Sequence, residues 1–399
     1  MARYMDEYEE ERPRKRASSG GKNSKNGRRP SGTRNSGSKG NGRKGLSKKQ
    51  KARKQRRRII LFIIEIIVLV IAVFALYSVL TATKSGKVEI KEGDIIINET
   101  VKEAQETSMK GYRNIALFGV DSTTGALTKN TRSDSIMIAS INQDTGECKL
   151  VSVYRDTYLN LSNDTYNKCN AAYAKGGPEM AINMLNMNLD MNITDFVTVG
   201  FAGLTDTVDA LGGVWIDVDD AEIKHVNSYQ ETMAQDLKRG GKYTPVTTTG
   251  YQLLNGLQAT GYCRVRYTAG DDFKRAERQR EVLSAIADQA KKASLTQLTS
   301  TAGAVFEETY TSLDLSEITE MLGDVSKYYI SDTAGFPQES NRTTGTIGSK
   351  GSCVIPVSLE ENVKWLHQFL FNDYDYEPSA AVKEYSARIY SDTNGYLKK

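Results

Sequence analysis

Arginines and aspartates stand repeatedly at the ends of apolar, β-type runs in this chain, an expensive placement unless the charges face one another or an anionic ligand. The first group is Gly119-Val120-Asp121-Ser122 followed by Thr131-Arg132-Ser133-Asp134-Ser135. Asp121 leaves one apolar run and Asp134 enters the next, so an antiparallel or crossover return brings both carboxylates to one edge. Two hard carboxylates suit Mg²⁺, which takes one or two of them and fills its octahedron with water and phosphate oxygens. Turn-capping aspartates with a local Arg132 ion pair account for the same residues equally well.

The second group is Val153-Tyr154-Arg155-Asp156-Thr157, followed by Asn167-Lys168-Cys169-Asn170. Arg155 either pairs with Asp156 at the surface or contacts phosphate just beyond a strand, where α/β sheets bind ligands. The third and densest group is Arg264-Val265-Arg266-Tyr267, then Asp271-Asp272-Phe273-Lys274-Arg275, then Arg278-Gln279-Arg280. Alternation through Cys263–Tyr267 predicts a strand with Arg264 and Arg266 on one face. Arg275 and Arg278, three apart, share one side of a helix start. Guanidinium forks near a helix N-terminus form a cradle for a diphosphate. A solvated basic helix face would explain Arg278 and Arg280, but not Arg264 and Arg266.

Other chemistries are poorly supplied. His225 and His367 are too few and too far apart for a zinc site or a serine-protease triad. Cys148, Cys169, Cys263 and Cys353 form no CxxC pair and are expected as buried free thiols, with a Cys169–Cys263 bridge as the alternative. No GxxxxGK[ST] loop is present to hold ATP. An arginine-rich, carboxylate-bearing site of this kind fits a phosphate ester carried by a lipid.

The elements that must position these residues are those of one large α/β domain from Gly111 to the C-terminus. Asn114–Val120, Ser135–Asn142 and Lys149–Tyr154 read as buried strands, with turns such as Asp144-Thr145-Gly146 between them. Pro178–Leu189 carries Met180, Met184, Leu185 and Leu189 at helical spacing; it is a candidate wall for an apolar groove, although such a stripe is more often ordinary core. Phe196–Phe201 and Val214–Val218 read as strands flanking a helix over Gly203–Leu211. Further helices are expected over Gln279–Lys292 and Ser358–Phe371.

The charge distribution fixes where such a domain would sit. Residues 1–58 hold 21 Lys and Arg against 5 Asp and Glu, leaving 32 against 44 in the remainder. The basic segment has too little apolar surface to offset ordering entropy and is expected to be a disordered tail. Ile59–Leu80 is apolar but for Glu65 and is long enough to span a hydrocarbon core of ~30 Å as a transmembrane helix. Lys54, Arg56, Arg57 and Arg58 flank it, so the tail is cytoplasmic and the acidic bulk lies outside. The apolar run exceeds the ~7–15 residues of a signal-peptide core, which favours a retained anchor. Glu65, near the cytoplasmic end, can stay protonated or lean to the interface. Residues 81–110 read as a short polar stalk. No folded nucleic-acid reader accompanies the tail, so anionic headgroups are its expected partner rather than nucleic acid.

At the charged groups the chain resembles the LytR-CpsA-Psr family. The strings that carry the resemblance are RNIALFGVDS, TRSDSIMIASI, LVSVYRDTYL, YNKCNAAYAKGG, DFVTVGFAGLTDTVDALGGVWIDV, LNGLQATGYCRVRY and DDFKRAERQREVL, in order over about Arg113–Lys292. The resemblance implies a three-layer αβα domain with a central, mixed and mostly antiparallel sheet and an apolar groove for a prenyl chain. It implies transfer of a glycopolymer from undecaprenyl diphosphate to peptidoglycan with Mg²⁺, or Mn²⁺ in its place. Metal-side aspartates would fall on Asp121 and Asp134. Diphosphate-binding arginines would fall on Arg132, Arg155, Arg264, Arg266 and Arg275, with Lys168, Asp272 and Gln279 as further polar members. The chain departs from the family at Tyr154, where proline is common. Two rivals use the same residues: a phosphatase that passes the phosphoryl group to water, and a non-catalytic receptor for wall polymer.

Overall fold

The computed structural model describes residues 90 and 92–396, apart from 123–126, 129, 239, 267, 269 and 307. The basic tail and the apolar segment 59–80 lie outside the described residues. Among those described, no helix is long and apolar enough to cross a membrane. The strands are β1 Tyr112–Val120, β2 Ser133–Asn142, β3 Glu147–Val153, β4 Tyr158–Asn160, β5 Tyr166–Lys168, β6 Asp195–Val199, β7 Val214–Val218, β8 Gly250–Leu254, β9 Thr309–Thr311, β10 Tyr329–Phe336, β11 Arg342–Thr346 and β12 Ser352–Pro356. The α-helices are α1 Glu99–Gln105, α2 Asn170–Leu189, α3 Phe201–Ala210, α4 Asp220–Asp236, α5 Gly256–Arg264, α6 Asp271–Ala290, α7 Leu295–Phe306, α8 Leu315–Gly323, α9 Leu359–Phe371 and α10 Ala380–Thr393.

Six strands form a mixed sheet in the order β10-β3-β2-β1-β6-β9. β1 pairs antiparallel with β2 and parallel with β6, while β3 pairs antiparallel with β2 and parallel with β10. Alternation along the strands divides the side chains between two faces. Phe118, Ile136, Ile138, Val151 and Val153 pack in one core with Ile182 and Leu185 of α2 and Leu366 and Leu370 of α9. Leu117, Ala139, Ile141 and Leu150 meet Leu283 of α6 in another core. Helices therefore cover both faces, as the resemblance implies. The buried Phe, Ile and Leu side chains contribute about 1.5–3 kcal/mol each by leaving water.

The β1–β2 register places the first pair of aspartates. Val120 faces Ser133 and Gly119 faces Ser135, with a bulge between Gly119 and Val120. A Cβ on Gly119 would lie 2.9 Å from that of Ser135, so this close return requires glycine. Asp121 follows the end of β1 while Asp134 is the second residue of β2, which brings their backbones to one edge.

A second core lies between the β7–β8 hairpin and helices α3, α4, α5 and α6, built from Val208, Val214, Ile216, Val226, Leu254, Tyr262, Val265 and Val282. Here the structure overturns the strand expected over Cys263–Tyr267. Asn255 and Gln258 form a reciprocal capping box, Asn255 Oδ1 accepting from Gln258 N at 3.0 Å and Gln258 Oε1 accepting from Asn255 N at 2.8 Å. The cap starts α5, which runs to Arg264; a short alternation of Arg and apolar residues was too brief to outweigh a capped helix. Two boundaries also move. Phe201 opens α3 rather than ending a strand, and the helix expected from Gln279 starts at Asp271. The later part of the segment read as a stalk is folded onto the domain: α1 buries Val101 and Ala104 in the main core, and Met109 joins them.

Candidate active site

Strand ends and helix ends converge at one edge of the sheet. The site takes Asp134 from β2, Arg155 from just beyond β3, Arg264 and Arg266 from the C-terminus of α5 and its exit, and Asp272, Arg275 and Gln279 from the first turns of α6. All but Asp272, which lies just behind them, border a cavity of about 390 Å³. Asp134, Arg155, Arg264, Arg266, Arg275 and Gln279 supply its polar lining, and most of its remaining wall is apolar, including Leu117, Met137 and Val199 from the sheet, Leu204 from α3, and Leu283 and Ile286 from α6. Such a space, apolar along its length and cationic at one end, fits an amphipathic anion.

The charges are interlocked. Arg155 Nη1 donates to Asp134 Oδ1 at 2.7 Å and Arg155 Nε to Asp272 Oδ2 at 3.2 Å. Asp272 Oδ1 lies 2.8 Å from Arg266 Nε and 3.4 Å from Arg275 Nη1, yet neither contact has the alignment of a hydrogen bond. Asp272 thus lies against three arginines, its single charge shared among them, without saturating Oδ1. Arg266 also pairs with Asp271 at 3.2 Å. Lys168 Nζ lies 3.3 Å from Asp156 Oδ2, and neither residue lines the cavity. Burial alone would depress the pKa of Arg155, but Asp134, Asp272 and Asp156 outweigh it and raise it. For Arg275 burial and the adjacent Arg155 win over Asp272 and Asp134, and the pKa falls. Arg275 is the group with most to gain from a new anion.

Arg264 is held differently. Its guanidinium carbon sits 4.3 Å from the ring centre of Phe201 and 4.9 Å from that of Tyr229, and its buried Nη1 has no partner. The rings fix the cation by cation–π attraction while leaving its donors for a ligand. Nothing in the local sequence marks Phe201 or Tyr229 for this role, because they approach Arg264 only through the packing of α3 and α4 on α5.

The remaining expected residues divide. Asp121 is exposed at the end of β1 and does not line the cavity. Arg132 is exposed and makes no ion pair with a described residue, so the local Arg132 ion pair expected for the aspartates does not form; Asp134 turns to Arg155 instead. Arg278 and Arg280 are not a solvated face: they are only 2% and 8% exposed. Arg278 pairs with Glu222, away from the cavity lining, and Arg280 lies against Tyr154 with Nε and Nη1 unpartnered. All four cysteines are free and buried, which removes the Cys169–Cys263 bridge. Burial pushes the Cys148 and Cys263 thiols up to about 12, so neither is a thiolate at neutral pH. Helix α2 is core, as its stripe suggested: Met184, Leu185 and Leu189 are fully buried and absent from the cavity wall.

The LytR_cpsA_psr family matches residues 76–349, more than half of the sequence. The chain belongs to this family. It is 28% identical over 227 residues to the polyisoprenyl-teichoic acid–peptidoglycan teichoic acid transferase TagT of Bacillus subtilis, a match covering 56% of this chain and 66% of that one. It is 31% identical over 194 residues to the TagU transferase of Enterococcus faecalis, covering 47% and 58%. Among solved structures, B. subtilis TagV superposes with a TM-score of 0.52 at 25% identity, over 67% of this chain and 99% of TagV. The LytR-CpsA-Psr fold accounts for the mixed sheet with helices on both faces.

A divalent metal, expected from the sequence resemblance, would draw on two carboxylates at this edge. Asp134 commits Oδ1 to Arg155, Asp121 adds a second, exposed carboxylate at the same edge, and both are hard oxygen donors. Among the described residues there is no group of three or more potential protein ligands, so any ion held here would complete its shell with water and substrate oxygens, the habit of Mg²⁺.

Proposed function

We propose that the chain is a membrane-anchored, extracytoplasmic transferase that moves a glycopolymer from an undecaprenyl diphosphate carrier onto peptidoglycan. The observation that carries this reading is the cavity of about 390 Å³, apolar along its wall and ringed by Arg155, Arg264, Arg266 and Arg275 at one end. A prenyl tail suits the first part and a diphosphate the second. The names of the TagT and TagU relatives support this class of donor, acceptor and reaction. The apolar run Ile59–Leu80 behind a basic tail supports the anchor.

In this reading the prenyl chain lies between the sheet and α3 and α6, which fixes the diphosphate among the arginines. An acceptor sugar hydroxyl attacks the phosphorus nearer the glycan; the P–O bond to the lipid phosphate breaks, and the hydroxyl proton passes to a carboxylate at this edge, Asp134 or Asp121. Arg155, Arg264, Arg266 and Arg275 stabilise charge on the phosphoryl oxygens and on the leaving lipid phosphate, because positioning and electrostatics dominate this chemistry. Gln279 completes the polar lining, while Lys168, paired with Asp156, lies outside it. Asp121 and Asp134 are the residues to hold Mg²⁺ or Mn²⁺, which when bound supplies further neutralisation of the diphosphate.

The test is transfer by the full-length chain in detergent micelles, given a labelled undecaprenyl-diphosphate glycan, Mg²⁺ and a peptidoglycan oligomer, beside the Arg264→Ala/Arg266→Ala variant. Label reaching the oligomer only with intact arginines supports the transferase. Release of free phosphorylated glycan alone replaces it with a phosphatase, and binding without turnover replaces it with a receptor.

A further inference from the structure

Two of the site's arginines depend on the exit from α5, whose described residues after Arg264 belong to no helix or strand, so contacts from outside the exit must fix it. Arg278 does so with two of its three nitrogens, and the third ties it to α4. Nε donates to Glu222 Oε1 at 2.6 Å, Nη1 to the Val265 carbonyl at 3.1 Å, and Nη2 to Thr268 Oγ1 at 2.7 Å. Val265 and Thr268 bracket Arg266, and Val265 also follows Arg264 directly. The guanidinium and its partner are both about 2% exposed. Glu222 is itself fixed, since its Oε2 accepts from the Asp219 amide at 2.9 Å and so closes the capping box of α4.

We infer that Arg278, held by Glu222, is a positioning residue that sets the Arg264–Thr268 segment against the diphosphate; this rests on the reading proposed above. A buried ion pair is poor evidence for stabilisation, because apolar residues of the same volume do as well or better. An apolar pair here would leave the Val265 carbonyl and the Thr268 hydroxyl unpartnered and the exit free to shift. The charged pair is explained by geometry instead: a planar fork with three acceptors at fixed angles holds a backbone as no aliphatic side chain can. One helix completes the arrangement. α6 holds the segment's backbone through Arg278, and its Asp271 and Asp272 hold the side chain of Arg266 at 3.2 and 2.8 Å.

Thr268 gives a test that spares the buried charges. Full-length protein in micelles would be titrated calorimetrically with farnesyl diphosphate, alongside its unfolding midpoint and amide exchange across Val265–Thr268. Thr268→Val removes the acceptor of Nη2 with little change in shape. It is expected to weaken farnesyl diphosphate binding about 10-fold, to speed exchange in that segment and to leave the midpoint close to wild type. Thr268→Ser keeps the hydroxyl and restores affinity; Arg278→Lys, if folded, behaves as Thr268→Val. Wild-type affinity in Thr268→Val overturns the inference while leaving the site reading intact. Failure of the wild-type protein to bind farnesyl diphosphate overturns both.

Discussion

Replacing Arg264 by Met separates the two duties of a buried arginine. In the ligand-free protein its Nη1 is buried without a partner, a desolvation cost of about 1–3 kcal/mol. Contact with Phe201 and Tyr229 returns about 0.5–2 kcal/mol, and Met keeps much of the apolar packing between those rings. Folding stability should therefore change by no more than about −1 to +2.5 kcal/mol. The ligand side is one-sided. A charge-assisted hydrogen bond to phosphate contributes about 1.5–3 kcal/mol, so its loss weakens diphosphate binding roughly 10- to 150-fold. Urea unfolding and farnesyl diphosphate calorimetry on the same full-length preparation measure both. A variant that loses more than about 2 kcal/mol of stability and binds as wild type would refute the argument, since Arg264 would then be structural.

Other outcomes follow from the same geometry. Burial holds His367 down to about 4 from an ordinary 6.5, so the unfolded chain takes up the proton first. Stability should be complete above pH 6.5 and fall as pH drops toward 4, by about 3 kcal/mol in all, and His367→Gln should flatten that dependence in urea midpoints at pH 7 and 4.5. Asp134→Asn should lower transfer about 100-fold or more while Arg155 keeps its contact to Asp272, and excess Mg²⁺ should not restore it; transfer at wild-type rate would remove Asp134 from the site. A Cβ on Gly335 would run into Tyr154 Oη, displacing the ring from Phe273 and Arg342, so Gly335→Ala should cost about 1–3 kcal/mol in thermal or urea unfolding.

Much of this layout was legible because strand cores and charged strand ends are local signals. The runs around β1, β2 and β3 announced themselves by apolar content, and the charges bordering them pointed to Asp134 and Arg155. Arg264 and Arg266 were found by their abnormal setting even though that setting was misread as a strand; the capping pair Asn255 and Gln258 held the correction. The cavity itself was not legible. Leu204, Leu283 and Ile286 carry the periodicity of any core helix, and whether such a stripe meets another side chain or a gap is decided by packing between distant segments. The same limit hid Glu222, whose link to Arg278 spans 56 positions.

The tie between Asp272 and Arg155, Arg266 and Arg275 bears on how the substrate enters. Without ligand the site carries its own counter-ions, so a diphosphate arrives by exchange, taking over guanidinium forks that carboxylates now occupy. Bulk salt has correspondingly fewer mobile anions to lose from the site, and affinity should depend on ionic strength less steeply than four exposed arginines would dictate. Free phosphate, without a tail to hold it beside the sheet, competes poorly against a fixed aspartate. For the proposed donor, preference for a tailed diphosphate over free phosphate is then a property of the paired resting state itself.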